Sequence, residues 1–253
     1  MPGRPEHDLA GAAWPDVRAD PLVLLPVGAT EQHGPHLPLS TDTVIAQAVA
    51  ERAAGVLRPR AGGQVLVAPA MAYGSSGEHA GFPGTMSIGH EALYAVIVET
   101  VRSLSLWAGR VVLVNGHGGN VRTLDAAVSR LRVEGHQAAW VGCAVPGGDA
   151  HAGLTETSVM LCLAPGLVRP FDEVTGDTRP LREILPEMVA RGVRGVSPSG
   201  VLGDPAKATA EHGREIVASM VSSVVARIEG GQVSERGRLR DPGPGVPVEG
   251  PRA

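Results

Sequence analysis

The sequence predicts an α/β protein built on a mainly parallel sheet with helices on both faces. Three observations carry this. Short runs that are apolar throughout alternate with longer segments of helical period. Gly and Pro, 34 and 21 residues, punctuate them and favour a loop-rich protein. Aromatic residues are only 3% of the chain, which argues against an all-β sandwich.

The elements follow in order. "PLVLLPVG" (21–28) reads as a buried strand. "TDTVIAQAVAERAAGV" (41–56) has helical spacing at Val44, Ala48 and Ala53, with Thr41 or Asp42 as N-cap. "QVLVAPAMAYG" (64–74) is a second strand entering a glycine-rich loop, and "HEALYAVIVETVRSLSLWAG" (90–109) a helix ending at Gly109. "RVVLVNG" (110–116) is the third strand, followed by a helix in "NVRTLDAAVSRLRVEG" (120–135). "HQAAWVGCAVPGG" (136–148) is the fourth strand, and "LTETSVMLCLAP" (154–165) a short helix. A long last helix is expected over 204–231. No repeat and no linker precedes residue 230, so one domain over residues 1–233 is expected. The tail, 234–253, is rich in Pro, Gly and charge and is expected to be disordered.

Composition excludes several classes. A net charge of −4 leaves no basic footprint for nucleic acid. No apolar run is long enough to cross a bilayer, and "MPGRPEHDLAGAAWPD" lacks the order of a secretory signal. Cys143 and Cys162 make no disulfide framework and read as small buried side chains. A cytoplasmic protein without nucleic-acid or membrane partners is expected.

In a parallel α/β sheet, ligands bind outside the carboxyl ends of the strands. Each strand here is followed there by a polar cluster: Glu31, His33 and Asp42; then Glu78 and His79; then His117; then Asp149, His151 and Glu156. Four loops that bring acids and imidazoles to one rim predict a metal site. Carboxylate and imidazole without thiolate suit Zn, Fe(II) or Mn. One carboxylate can bridge two ions about 3.5–4 Å apart, which together activate a water and polarise a carbonyl. Several residues have plainer readings. His36 is expected to be structural, because "GP" between it and His33 breaks any helix. Glu31 and Asp42 could cap the following helix, which explains Asp42 better than Glu31. Asp149 reads as a turn residue, and Glu78 and His79 stand open between substrate contact and loop hydrogen bonding. His7, His90, His136 and His212 lie off the rim. A reading from another class is a non-catalytic nucleotide- or metal-binding protein, since "GHGGNV" follows a strand and opens a helix. A dinucleotide fingerprint needs Gly or Ala where this chain has Val121.

"EQHGPHLPLSTD", "FPGT", "NGHGGN" and "ETS", in this order over roughly residues 20–165, resemble the creatininase family of metal-dependent amidohydrolases. The resemblance implies a three-layer α/β/α sandwich, two divalent metal ions per chain (Zn and/or Fe(II), with Mn a further choice) and a homo-oligomer, commonly a hexamer. It implies that Glu31, Asp42 and His117 hold one ion, and His33 with the bridging Asp42 the other. The chain departs from creatininase itself twice. The Glu that follows the "NGH" histidine by two residues and ligates the second ion is here Gly119, so Glu156 is expected to complete that site. The tryptophan that covers the small flat substrate is missing from "PGGDAH", which makes creatinine a poor candidate. "GGDAHAGLTETSVML" and "SGVLGDPAKATAEHG" extend the resemblance to about residue 220, into a branch of the family that matures a ribosomally made peptide. That branch implies a modified precursor peptide as substrate, cut before its cross-linked C-terminal Val-Tyr unit. Another small cyclic or linear amide is the alternative. Hydrolysis is expected to use His151 as proton donor to the leaving amine, with Glu156 beside it.

Overall fold

The computed structural model describes residues 7–60 and 62–243. Four parallel strands form the sheet: β1 (Leu22–Val27), β2 (Val65–Val67), β3 (Arg110–Asn115) and β4 (Ala138–Gly142), in the order β2-β1-β3-β4. Six helices accompany them: α1 (Thr41–Leu57), α2 (Gly89–Leu104), α3 (Val121–Val133), α4 (Leu154–Leu163), α5 (Leu181–Val196) and α6 (Ala210–Gly230). Alternate residues of each strand face opposite sides. Leu24, Val65, Val112 and Val141 pack with α1, α4 and α6 on one face. Val23, Leu66, Leu113 and Trp140 pack with α2 and α3 on the other. These two cores make the protein a three-layer α/β/α sandwich, as expected.

The chain steps from β1 to β2 on one side, then crosses back to β3 on the other. The crevice at this reversal lies between the carboxyl ends of β1 and β3. The loops that leave those two ends carry Glu31 to Asp42 and His117.

The structure differs from the sequence reading at several element ends; α2 stops at Leu104, short of the expected Gly109, and α5 was not expected at all. The second strand is short because Pro69 brings no N–H to the ladder; the chain touches β1 again only where Met71 bridges Val27. The fourth strand ends at Gly142, ahead of Pro146 and the turn at Gly147–Gly148. The last helix starts at Ala210, where the Thr209 hydroxyl accepts a bond from His212 N at 3.1 Å. Neither Thr41 nor Asp42 is the N-cap of α1; Ser40 holds that position, and Asp42 points into the protein, 2% exposed.

The expectation of a disordered tail from residue 234 needs correction. Leu239 is buried in the core formed with α6 and β4. Trp140 N donates to Gly237 O and Leu239 N to Trp140 O, both at 2.9 Å. Arg227 pairs with Asp241 at 2.8 Å, and Arg238 lies over the Trp140 ring at 5.0 Å. The buried Leu239, these backbone bonds and the contact of Arg238 with the buried Trp140 anchor a segment that is otherwise polar. The rest of the tail, 244–253, lies outside the described residues. At the other sheet border, Val67 N donates to His7 O at 2.7 Å, and Asp8 bridges Val67. Among the described residues, no helix is long and apolar enough to cross a membrane.

Candidate metal centre

Glu31, His33, Asp42, His79, His117 and His151 are all buried, and Glu156 closes the group from the start of α4. Their donor atoms fall into three overlapping sets, each within 4.8 Å: Glu31, Asp42 and His117; His33, His151 and Glu156; and Glu31, His79 and His151. Asp42 stands between the first two. Its Oδ1 is 3.1 Å from His33 Nε2, and its Oδ2 is 3.2 Å from His117 Nδ1. Glu156 Oε2 is 3.7 Å from His33 Nε2 and accepts Ala152 N at 2.6 Å.

The hydrogen bonds fix which imidazole nitrogen faces the cluster. A backbone carbonyl can only accept, so the ring nitrogen beside it must carry the proton. His33 Nδ1 donates to Glu31 O at 3.1 Å, His117 Nε2 to Ser75 O at 3.0 Å and His151 Nε2 to Gln32 O at 2.8 Å. Each of these histidines therefore turns its other nitrogen, the one that can bind a metal, toward the carboxylates. His79 is arranged the other way. Gln32 Nε2 has two protons, and they reach Gly200 O at 3.0 Å and His79 Nδ1 at 2.8 Å. His79 then carries its proton on Nε2, which lies at ion-pair distance, 3.4 Å, from Glu31 Oε1 without a hydrogen bond between them.

Charge follows the same geometry. Burial opposes a proton on His33, but Asp42, Glu156 and Glu31 outweigh it and push its pKa up to about 10. His117 is raised well above its ordinary value against the same burial, by Asp42 and Glu31. Burial would raise Asp42, yet His33 and His117 hold it below the usual carboxylate range. At His79 and His151 burial wins, with a neighbouring histidine adding to it in each case: His79 falls to about 3 and His151 lies well below its normal value. Burial lifts Glu156 to about 7, with Asp42 and Asp149 adding to it, and also raises Glu78. The centre thus calls for positive charge.

The donor set fits divalent ions. Both carboxylate oxygens of Glu31 and Oδ2 of Asp42 are buried without a hydrogen-bond partner. Left so, each would cost about 1–3 kcal/mol. The histidines near them sit at ion-pair distance, and the lone pairs meet in one small space. Oxygen and imidazole donors without sulfur match Zn, Fe(II) or Mn.

Other predicted residues take separate places. His36 Nε2 bonds Thr157 Oγ1 at 2.8 Å and stays out of the cluster, with burial lowering its pKa to about 4. Asp149 accepts Thr155 N at 3.1 Å and shapes the turn before α4. Glu78 is on the rim, its Oε1 3.6 Å from His117 Nε2. A Cβ at Gly119 would overlap Ser75 O, His117 Nε2 and Glu78 Oε1, so no side chain fits there. Gln32, Ser75 and Asn120 were not singled out from the sequence. Asn120 Oδ1 takes Ser75 N at 2.9 Å and its Nδ2 bonds Gly28 O at 3.0 Å, tying three of the loops together. The only signal for Gln32 was its position between two ligand-type residues. A cavity of about 360 Å³ opens over the cluster, with α5 as its far wall.

The creatininase family model, described as creatinine amidohydrolase, matches residues 10–228. The chain is 54% identical over 219 residues to the mycofactocin precursor peptide peptidase of Mycolicibacterium smegmatis (strain ATCC 700084 / mc(2)155), covering 87% of this chain and 89% of that one. It is 32% identical to the creatinine amidohydrolase of Pseudomonas putida, covering 83% and 89%. A solved structure described as "Creatininase Mn" is similar with a TM-score of 0.70 at 27% identity, covering 88% of this chain and 97% of that one. A mutant creatininase of "Zn-Zn type" is similar with a TM-score of 0.69 at 27% identity, covering 88% and 96%.

Proposed function

Because this chain belongs to the creatininase family, we propose that it is a two-metal peptidase that releases the modified C-terminal Val-Tyr-derived unit from the mycofactocin precursor peptide. The observation that carries the chemistry is the buried cluster in which Asp42 gives one oxygen to each of two donor sets. The substrate is supported by the 54% identity to a mycofactocin precursor peptide peptidase. A single catalytic domain, expected over residues 1–233 and extended by the packed segment 234–243, belongs to the same proposal. So do a homo-oligomer, with a hexamer favoured, and action in the cytoplasm.

Glu31, Asp42 and His117 would hold one ion, and His33, Asp42 and Glu156 the other. Divalent ions bound there supply Lewis acidity, which polarises an amide carbonyl and lowers the pKa of water. The protein's own residues supply order and proton transfer. The carbonyls of Glu31 and Ser75 keep His33 and His117 in one tautomer. His151, its Nε2 proton committed to Gln32 O, presents a bare Nδ1 to the cluster, 3.8 Å from Glu31 Oε1. That nitrogen takes a proton from the attacking water and returns it to the departing amine. The expected donor role of His151 is thereby the second half of a shuttle. A phosphate-cradling role for the "NGHGGN" loop fits poorly, because its His117 turns into the cluster, 3.2 Å from both Glu31 Oε1 and Asp42 Oδ2.

The test is incubation of the metal-loaded protein with the modified precursor, followed by mass spectrometry. The expected product is the precursor shortened by its terminal unit. The unmodified peptide should be cut more slowly, since its free end has more conformations to lose on binding. An intact modified peptide after prolonged incubation, or rapid opening of creatinine, would overturn the assignment.

A further inference from the structure

The cavity over the cluster has two unlike walls. One is polar: Glu31, Asp42, Glu78 and Glu156, with the backbone of Gly118 and Gly119 beside them. The other is α5, which sets Leu181, Leu185, Met188 and Val189 along one side at helical spacing. Leu181, Leu185 and Val189 are 46%, 48% and 81% exposed. α5 does not need these three for its attachment. Ile184 and Val193 are fully buried against Leu202 and Phe82, and Arg194 donates to Gly81 O at 2.7 Å. Leu181, Leu185 and Val189 thus form an apolar stripe that is largely open to water and lines the same cavity as four acids.

We propose that Leu181, Leu185 and Val189 form the subsite for the apolar and aromatic side chains of the unit released from the peptide, holding its scissile carbonyl over the cluster. The inference rests on the peptidase reading above. Three features select this occupant. The stripe lines the same cavity as the candidate ligands, so a group seated on it is next to the reacting bond. The opposite wall at Gly118 has no side chain and open space where one would stand, which admits a thick group and not only a flat ring. The stripe runs from Leu181 to Val189, about 12 Å of helix, long enough to take both side chains of the decarboxylated Val-Tyr unit that the family resemblance implies.

The test uses metal-loaded full-length protein and synthetic precursor peptides ending in Val-tyramine or Val-ethanolamine. The wild type should favour the tyramine end by about tenfold or more in kcat/KM, the range an apolar pocket can discriminate. The double variant Leu185→Asn/Val189→Asn should lose most of that preference through KM, with metal content and oligomeric mass unchanged. An intact preference in the variant overturns the subsite. A change in oligomeric mass also overturns it, and would show that α5 packs against a second copy of the chain. If the wild type cuts neither peptide, the peptidase reading fails separately, and saturation-transfer NMR with free Val-tyramine still decides the subsite. Signal lost in the variant supports it, and equal signal in both proteins refutes it.

Discussion

Asp42 is the residue on which both halves of the cluster depend. With Oδ1 beside His33 and Oδ2 beside His117, Asp42→Ala should reduce metal from two ions per chain to nearly none by elemental analysis. Glu156→Gln should leave about one ion, and His36→Ala should retain both, because His36 bonds only Thr157 within the described site. Full metal content in Asp42→Ala would exclude the bridging role. Gly119 gives a second check. Restoring the family's carboxylate by Gly119→Glu should lower metal content and stability, because the new Cβ overlaps His117 and Glu78; overpacking of this kind costs about 1–3 kcal/mol. That these acids and histidines meet in one cluster was legible in the sequence, because metal chemistry restricts candidate ligands to a few residue types placed after strands. Their tautomers were not, since the deciding partners are backbone carbonyls of Glu31, Gln32 and Ser75, which composition does not reveal. Cys143 tests burial more simply. Burial, with Asp42 nearby, pushes its pKa up to about 12, so its thiolate is scarce at pH 8. A thiol reagent should leave Cys143 unmodified in the native protein and label it after denaturation.

α5 was missed at the sequence level, and the reason is local. Pro186 and Gly192 interrupt its apolar spacing, and Gly192 leaves the helical region altogether at φ 69°. That left-handed residue lies against the carbonyl of Glu78, where an added Cβ would come within 3.0 Å. Gly192→Ala should therefore cost about 1–2 kcal/mol and speed hydrogen exchange over residues 181–196 and 77–82 more than in the sheet. Equal protection in both proteins would show that α5 is held without Gly192. The strands and the other helices were legible because their period is strong. Only their ends moved, three of them for a local cause: Pro69 at β2, the turn at Pro146 after β4 and the Thr209 cap at α6.

At the scale of the whole molecule, the segment after α6 belongs to the folded unit. Removing residues 234–253 strips Leu239 from the core and uncovers Trp140. Burying one leucine contributes about 1.5–3 kcal/mol, so the melting temperature should fall by about 5 °C or more. An unchanged melting temperature would restore the original expectation of a loose tail. The same two terminal segments have a consequence beyond stability. His7 and Asp8 lie beside β2 at Val67, and Gly237 to Leu239 lie beside β4 at Trp140, so each outer strand has part of its outward backbone engaged by a flanking segment of the chain. An open sheet without such guards is a template for strands from other molecules. Proteolytic trimming at either end should therefore turn a self-contained protein into one that associates edge to edge, with turbidity that rises with concentration while the metal cluster, at the far ends of β1 and β3, stays intact.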